Sequence, residues 1–203
     1  MTAQHTTPPR LTVITASVRE GRAGPMVADW ITALARAHGG FTVTTADLAD
    51  YPLPLALPAV SPAFEPDPER PAGMTELTGR LREADAFVVV TPDYNRSFPA
   101  SVKAAIDWHY TEWQHKAIGF VGYSGASGGL LAIEQLRQVF NELQAHTVRD
   151  YLAFPRYYQL FDESGALREP KEPEAAAQAM LDQLHWWASV LRDARRDRPH
   201  RAA

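Results

Sequence analysis

Residues 86–99 read Ala-Phe-Val-Val-Val-Thr-Pro-Asp-Tyr-Asn-Arg-Ser-Phe-Pro, and they predict a strand, a polar loop and the start of a helix. The first five residues are apolar and largely β-branched, a pattern typical of a strand buried on both faces. Pro92 ends the strand because proline has no N–H for the ladder. Ser97 is predicted to cap, and Pro99 to open, a helix over 100–108. This order indicates the carboxyl-edge crevice at which open α/β sheets bind ligands.

The rest of the chain repeats the alternation of strands and helices. Compact apolar runs predict the strands, and apolar residues at helical spacing predict the helices. An alternation of this kind predicts an α/β fold with helices on both faces of a five-stranded parallel sheet, in the order 2-1-3-4-5. Besides the central strand and its helix, the strands are expected at 11–15, 41–47, 116–123 and 147–154, and the helices at 25–38, 74–82, 130–143 and 172–191. Gly39-Gly40 is predicted to end the first of these helices.

The composition predicts one globular domain. The chain has 203 residues, of which 45% are apolar, and a net charge of -4. We expect a flexible N-terminal tail over 1–9, the domain over 10–192 and a flexible basic tail over 193–203. Seven prolines between 51 and 71 exclude a regular helix or central strand there, so this segment is a surface loop, either a lid over the site or a simple linker.

The same composition argues against several classes of protein. Cysteine is absent, which excludes disulfides and thiolate chemistry, and the seven histidines show no close spacing for a metal site. The mild negative charge argues against a nucleic-acid surface. No apolar run approaches ~18 residues, and the N-terminus lacks the features of a signal peptide, so we expect no membrane contact and a cytoplasmic location.

Three loops follow the carboxyl ends of the first, third and fourth predicted strands, which are neighbours in the 2-1-3-4-5 order and therefore bring the loops together. The first loop carries Ser17, Arg19 and Arg22 just before a helix N-terminus. Hydroxyl, guanidinium and free helix N–H groups suit a phosphate, although a solvated loop with a helix cap would have the same residues.

The second and third loops offer a place for a flat ring. Tyr94 can stack, and Asn95 carries both a donor and an acceptor. The glycines between 122 and 129 either let backbone N–H groups approach a ring edge or simply turn the chain. A phosphate cradle beside such a pocket predicts a mononucleotide with a planar head.

Five motifs lie at these positions, and through them the chain resembles the NADPH-dependent FMN reductases, a flavodoxin-like family. The resemblance covers roughly residues 10–151. The family pattern usually has glycine where Ala16 stands and commonly arginine where Leu131 stands. The motifs are Ser17-x-Arg19-x-x-Arg22, Thr91-Pro92-Asp93-Tyr94-Asn95-x-Ser97-x-Pro99, Lys103-x-Ala105-Ile106-Asp107-Trp108, Gly125-x-Ser127-Gly128-Gly129 and Glu134-Gln135-Leu136-Arg137.

The resemblance implies FMN as the cofactor and NADPH, or NADH, as the electron donor. Hydride would pass to FMN, and electrons then to a flavin, quinone or azo-type acceptor, with no catalytic residue supplied by the protein. The implied ligands of the phosphate are Ser17, Arg19 and Arg22. Those of the ribityl chain and ring are Pro92, Asp93, Tyr94, Asn95 and Ser97, and those at the ring's polar edge are Ser124 and Gly125.

The resemblance also implies a homodimer or homotetramer, and a flavin-dependent monooxygenase is a further candidate partner. An aromatic cluster late in the third predicted helix is either core packing or a dimer interface beside the flavin. Its members are Trp108, His109, Tyr110 and Trp113.

Two other functions are compatible with the residues. The first is an FMN-binding electron carrier or sensor without turnover. The second is a serine hydrolase, because Gly122-Tyr123-Ser124-Gly125-Ala126 approaches a nucleophile elbow and is followed by Asp150 or Asp162 and then His185. The elbow lacks its final glycine, and this alternative leaves Arg19 and Arg22 without a role.

Overall fold

The computed structural model describes residues 7–65 and 68–198. Its central strand, β3 (Ala86–Pro92), is buried along its whole length. The side chains alternate between the two faces, so that Val88 and Val90 join the core on one side while Phe87 and Val89 join the core on the other. The continuous apolar run therefore marks a strand covered on both faces, as the sequence predicts.

The sheet is parallel throughout. β1 (Arg10–Thr15) lies between β2 (Thr42–Asp47) and β3, and β4 (Ala117–Ser124) lies on the other side of β3. The strand order is 2-1-3-4-5, which confirms the predicted topology. The carboxyl ends of β1, β3 and β4 consequently meet at one edge of the sheet.

The fifth strand differs from the prediction because it is interrupted. β5 (His146–Thr147) and β6 (Leu152–Pro155) both pair with β4. Between them the guanidinium of Arg137 binds the carbonyl oxygens of Val148 and Arg149 at 2.6 and 2.9 Å. These carbonyl groups bind the Arg137 side chain, so the pairing with β4 stops after Thr147 and resumes at Leu152.

Helices cover both faces. One face is covered by α1 (Gly24–His38) and α6 (Lys171–Asp197), and the other by α2 (Thr75–Glu83), α3 (Ala100–Asp107) and α4 (Leu130–Glu142). A 3₁₀ turn spans Leu48–Asp50, and the short α5 (Tyr157–Leu160) follows β6. In the described part of the chain no helix is both long and apolar enough to cross a membrane.

The two predictions about helix ends have different outcomes. α1 ends at Gly39, which adopts the left-handed conformation with φ 73° that the predicted Gly-Gly stop requires. The predicted cap of α3 is wrong, because Pro99 occupies the N-cap position and the hydroxyl of Ser97 donates to Gln135 at 2.7 Å instead.

The predicted C-terminal tail begins too early. α6 continues to Asp197, and within the 193–197 segment Arg195 binds Asp85 at 2.6 Å and the carbonyl of His115 at 2.6 Å. A basic run therefore forms the end of a packed helix, because its cations meet acceptors at the amino edge of the sheet. Residues 1–6 and 199–203, which hold most of the predicted N-terminal tail and less than half of the predicted C-terminal tail, lie outside the described residues.

The proline-rich segment has neither helix nor strand over 51–65 and 68–71. Both of its ends are held against the end of α3. The indole N–H of Trp108 donates to the carbonyl of Pro54 at 2.7 Å, and the Arg70 guanidinium donates to the carbonyl of Trp108 at 3.2 Å. Its role as a lid remains a prediction.

Candidate functional site

The first loop, between β1 and α1, leaves the N-terminus of α1 without a side-chain cap. The N-cap residue is Ala23, Pro25 lies in the first turn, and that turn contains no acidic residue. Free N–H groups and the positive end of the helix dipole therefore face the loop uncompensated. Arg19, four residues before the N-cap in the same loop, is exposed. This arrangement suits a phosphate group.

Arg22 is held more tightly than Arg19. One of its terminal nitrogens donates both to the carbonyl of Ser17 at 2.6 Å and to the carboxylate of Asp47, at the end of β2, at 2.5 Å. Both side chains of the ion pair are largely shielded from solvent. Arg22 therefore braces the loop against β2 while it contributes positive charge to the site.

A pair of hydroxyl groups joins the first loop to the second. The Ser17 hydroxyl lies 2.6 Å from the Tyr94 hydroxyl, and the Arg19 guanidinium lies 5.9 Å from the centre of the Tyr94 ring. The predicted phosphate loop and the predicted stacking residue are thus in direct contact. The convergence expected from the strand order is present at these three side chains.

The second loop forms a tight hairpin. The backbone groups of Tyr94 and Ser97 bind each other at 2.7 and 3.0 Å, while Asn95 and Arg96 between them have φ values of 51° and 69°. Such a turn needs two left-handed residues, a conformation that asparagine tolerates better than most side chains. Asn95 is exposed at the tip. Gln135 of α4 fixes the hairpin by donating to the Arg96 carbonyl at 2.6 Å.

Asp93 faces the third loop and α4. One carboxylate oxygen accepts the N–H of Ala132 at 2.8 Å, and the other accepts the Ser127 hydroxyl. The carboxylate therefore caps the start of α4, at the positive end of that helix dipole. Asp93 and Ser97 hold the second loop in place through their side chains and do not point into the crevice.

The third loop uses its glycines in two ways. A Cβ atom on Gly129 would overlap the backbone of Gly122 and Tyr123, so these glycines let the chain turn tightly against β4. Gly125 is exposed, and a Cβ atom added at this position would meet nothing within 4 Å. The neighbouring Ser124 hydroxyl lies 3.1 Å from that of Ser127. Of this loop, Gly125 and Ser124 border the open crevice.

Sequence reasoning missed three residues that shape the site. Asp47 pairs with Arg22, Gln135 fixes the hairpin, and Tyr123 places its hydroxyl under the first loop. The alternation of side chains along β4 could have assigned Tyr123 to the α1 face together with Val121. The pairing partners of the other two depend on tertiary contacts that no local pattern records.

Two cavities of about 310 Å³ flank the three loops. The first lies between α1 and the end of β2, and its carboxylates, from Asp29, Asp47, Asp50 and Glu76, make it unsuitable for a phosphate. The second lies between the proline-rich segment and α3, where Leu55, Leu57 and Phe98 give it an apolar lining. A planar apolar molecule fits the second cavity better.

Three of the four residues of the aromatic cluster after α3 belong to the core, and the fourth, Tyr110, is half-buried against it. Trp108, His109 and Trp113 are 5%, 0% and 1% exposed within this chain, so they are not available to a dimer interface. Burial lowers the pKa of His109 to about 4. Its ring lies 2.8 Å from the Ala105 carbonyl and 3.0 Å from the Thr78 hydroxyl.

The residues of the hydrolase alternative do not meet. Ser124 is the last residue of β4, at the carboxyl edge. The ring of His185 packs on Phe41, which precedes β2 at the amino edge of the parallel sheet. Asp150 accepts from Gln183, and Asp162 accepts from residues of its own turn. The geometry therefore places none of these three residues beside Ser124 and does not favour this alternative.

The fold defines a flavodoxin-like α/β protein, and the comparisons with known proteins agree. The flavoenzyme FerB of Paracoccus denitrificans, an NAD(P)H:(acceptor) oxidoreductase, superposes with a TM-score of 0.63 over 90% of this chain and 98% of its own. At 23% sequence identity, this likeness concerns the fold alone.

Sequence comparison identifies the family. The model described as NADPH-dependent FMN reductase matches residues 9–159. An NAD(P)H-dependent FMN reductase of Schizosaccharomyces pombe is 33% identical over 150 residues, 73% of this chain and 74% of the relative. A protein of Oryza sativa subsp. japonica, named "Probable NADPH:quinone oxidoreductase 2", is 28% identical over 85% of each chain. The chain belongs to the NADPH-dependent FMN reductase family.

The residues present fit a flavin mononucleotide. The uncapped N-terminus of α1, with the cation of Arg19 in the loop before it, suits the phosphate. A buried hydroxyl, that of Tyr123, lies beneath the same loop and has no hydrogen-bond partner in the part of the chain that the structure describes. The open space around Gly125 leaves room for a flat ring. Neither the carrier nor the hydrolase alternative is favoured by the family assignment.

Proposed function

We propose that the chain is an NAD(P)H-dependent flavin oxidoreductase that holds FMN in the three-loop crevice and reduces small quinone-type acceptors. The observation that carries the proposal is the direct joining of the loops, through Ser17 with Tyr94 and through Asp93 with Ser127, beside an uncapped helix N-terminus. Family membership supplies the reaction class. Bound FMN would accept hydride from the nicotinamide and pass electrons to the acceptor.

The protein's own part is binding and orientation. Arg19 and the N-terminus of α1 would hold the phosphate, with Arg22 braced on Asp47 to keep the loop in shape. The rigid hairpin at Asn95 and the side-chain-free Gly125 would border the ring and offer backbone N–H groups to its polar edge. Preorganised donors of this kind stabilise negative charge at no cost in reorganisation.

The acceptor is proposed to enter beside Phe98. The apolar cavity there adjoins the start of α3, directly after the second loop, and its lining suits a flat hydrophobic quinone. The names of several relatives include quinone reductase. The cytoplasmic location remains part of the proposal, because an enzyme of this type draws on the NAD(P)H pool.

A second copy of the chain is proposed to cover the proline-rich segment. Phe64 and Leu55 are 84% and 78% exposed, and Leu57 and Val60 are exposed beside them. An exposed apolar group of this size is typical of an interface. We expect a homodimer in sedimentation velocity and monomers for Phe64→Asp. A monomeric wild type would remove this part of the proposal.

The function is tested by following the absorbance of purified protein mixed with FMN, in the absence of oxygen, during addition of NADPH and then of a benzoquinone. We expect the flavin bands to shift on binding, to bleach with NADPH and to return with the quinone. Bound flavin that both NADPH and NADH leave oxidised would favour the carrier or sensor. Absence of binding would contradict the site.

A further inference from the structure

Tyr123 carries a hydroxyl that has no partner within the described structure. It is the penultimate residue of β4 and is 3% exposed. Its ring packs edge-on against that of Tyr157, with 5.3 Å between the centres. The hydroxyl oxygen is fully buried, yet it has no hydrogen-bond partner at accepted distance and angle among residues 7–65 and 68–198. A buried donor without an acceptor is destabilising, so its retention needs a reason.

The hydroxyl lies under the first loop. A Cβ atom added to Gly24, the first residue of α1, would lie 2.9 Å from the Tyr123 hydroxyl oxygen and 3.7 Å from the Cβ of Ser17. Burial raises the pKa of Tyr123, while the Ser17 hydroxyl is close enough to lower it. The two hydroxyl groups are therefore neighbours.

The Ser17 hydroxyl has a single proton, which it can donate either to the Tyr94 oxygen or to a phosphate. A serine hydroxyl has one proton and two lone pairs, and a phosphate dianion accepts hydrogen bonds without donating any. The Ser17 oxygen now shares a hydrogen bond with the Tyr94 hydroxyl at 2.6 Å. When Ser17 donates to a phosphate, its lone pairs are free to accept. Tyr94 can donate to one lone pair, and the fully buried hydroxyl of Tyr123 is a neighbouring donor for the other.

We propose that the Tyr123 hydroxyl is a positioning group of the flavin phosphate site, which donates to Ser17 Oγ and thereby directs the only proton of Ser17 at the phosphate. This inference rests on the proposed function, namely that the chain binds FMN. It also explains the glycine at the start of α1, because a side chain at Gly24 would displace the hydroxyl. Tyr123 acts through Ser17 and does not touch the flavin ring.

The test is a set of binding titrations of wild type and Tyr123→Phe with FMN and with riboflavin, which lacks the phosphate. Flavin fluorescence reports the dissociation constant, and a thermal melt reports the stability of the flavin-free protein. We expect FMN to bind roughly tenfold more weakly to the variant, with riboflavin unchanged and a melting temperature that is equal or higher. Tyr157→Phe, which removes the hydroxyl from the other ring of the pair, is the matched control. It should change neither the two flavin affinities nor the melting temperature.

A double-mutant cycle separates positioning from packing. In a Ser17→Ala background, Tyr123→Phe should cause no further loss of FMN affinity, because its effect passes through the missing hydroxyl. Additive losses, or equal losses for FMN and riboflavin, would overturn the inference. So would an unchanged FMN affinity in Tyr123→Phe while the wild type binds FMN. A wild type that binds no FMN would instead contradict the proposed function itself.

Discussion

The two edges of the sheet use polar residues in opposite ways. At the amino edge, the charged side chains of Asp85, Glu112, Lys116 and Arg195, here called the amino-edge cluster, meet partners from the same chain. At the carboxyl edge, Arg19 is exposed and the Tyr123 hydroxyl has no hydrogen-bond partner among the described residues. The amino edge therefore holds the fold together, whereas the carboxyl edge keeps donors available for an anion.

The largest effect is expected from Glu112→Gln, in the amino-edge cluster. The Glu112 carboxylate is 1% exposed and accepts from Arg70, which is 9% exposed, at 2.9 Å. Replacing the carboxylate by an amide removes a buried negative charge that faces Arg70 and Arg82, so we expect a loss of about 3 kcal/mol in the free energy of unfolding in urea. Glu83→Gln, which breaks an exposed pair with Arg10, is the control and should have little effect. Equal losses in the two variants would contradict the contrast between the edges.

The second effect is a pH dependence of stability caused by His109. Burial lowers its pKa to about 4 from an ordinary 6.5. Between these two pH values the histidine is protonated in the unfolded chain and neutral in the folded protein. Stability is therefore full above pH 6.5 and falls as the pH drops towards 4. Between pH 7.5 and 5 this histidine should account for a loss of about 2 kcal/mol. Urea titrations of His109→Gln should show a smaller loss, and an unchanged loss would exclude His109 as its source.

The sequence predicts much of the fold because its signals are local. The apolar run of β3 and the Gly39 stop of α1 each depend on neighbouring residues alone, and both predictions are confirmed. The interrupted fifth strand and the length of α6 were not predicted, because they depend on Arg137 and Arg195 reaching carbonyl groups distant in the chain. Long side chains find such partners only in the folded protein.

The candidate site shows the same division between features that local sequence predicts and features that depend on tertiary contacts. Motif and strand order bring Ser17, Tyr94 and Asp93 to one edge, as expected. The direction of each side chain could not be read from the motif, since the Ser97 hydroxyl binds Gln135. The ligand roles of the predicted site residues therefore remain predictions. Experiments on Arg19 and Ser97 can distinguish a direct ligand of the phosphate from a residue that only holds a loop in place.

The third prediction concerns Arg19, which we expect to bind the phosphate directly. Arg19→Ala should weaken FMN binding roughly tenfold, through loss of a charge-assisted hydrogen bond, and should leave riboflavin binding and urea stability unchanged. Arg149→Ala removes a side chain that is 92% exposed and lies away from the three loops, and it serves as the control. If Arg19→Ala weakens riboflavin and FMN equally, the phosphate assignment is wrong.

The smallest effect on binding is expected from Ser97→Ala. Because this hydroxyl donates to Gln135 at 2.7 Å, the variant should lose about 1 kcal/mol of stability while its FMN affinity stays within about twofold of wild type. Flavin fluorescence and urea unfolding measure the two quantities on the same sample. A tenfold loss of FMN affinity would restore Ser97 to the direct ligands.

The central claim is that the carboxyl edge is built around a phosphate. Its most direct test is the ratio of the dissociation constants of FMN and riboflavin for the wild-type protein, measured by flavin fluorescence at one salt concentration. An uncapped helix N-terminus with an exposed arginine beside it predicts that FMN binds on the order of 100-fold more tightly. Equal affinities for the two flavins would contradict the account.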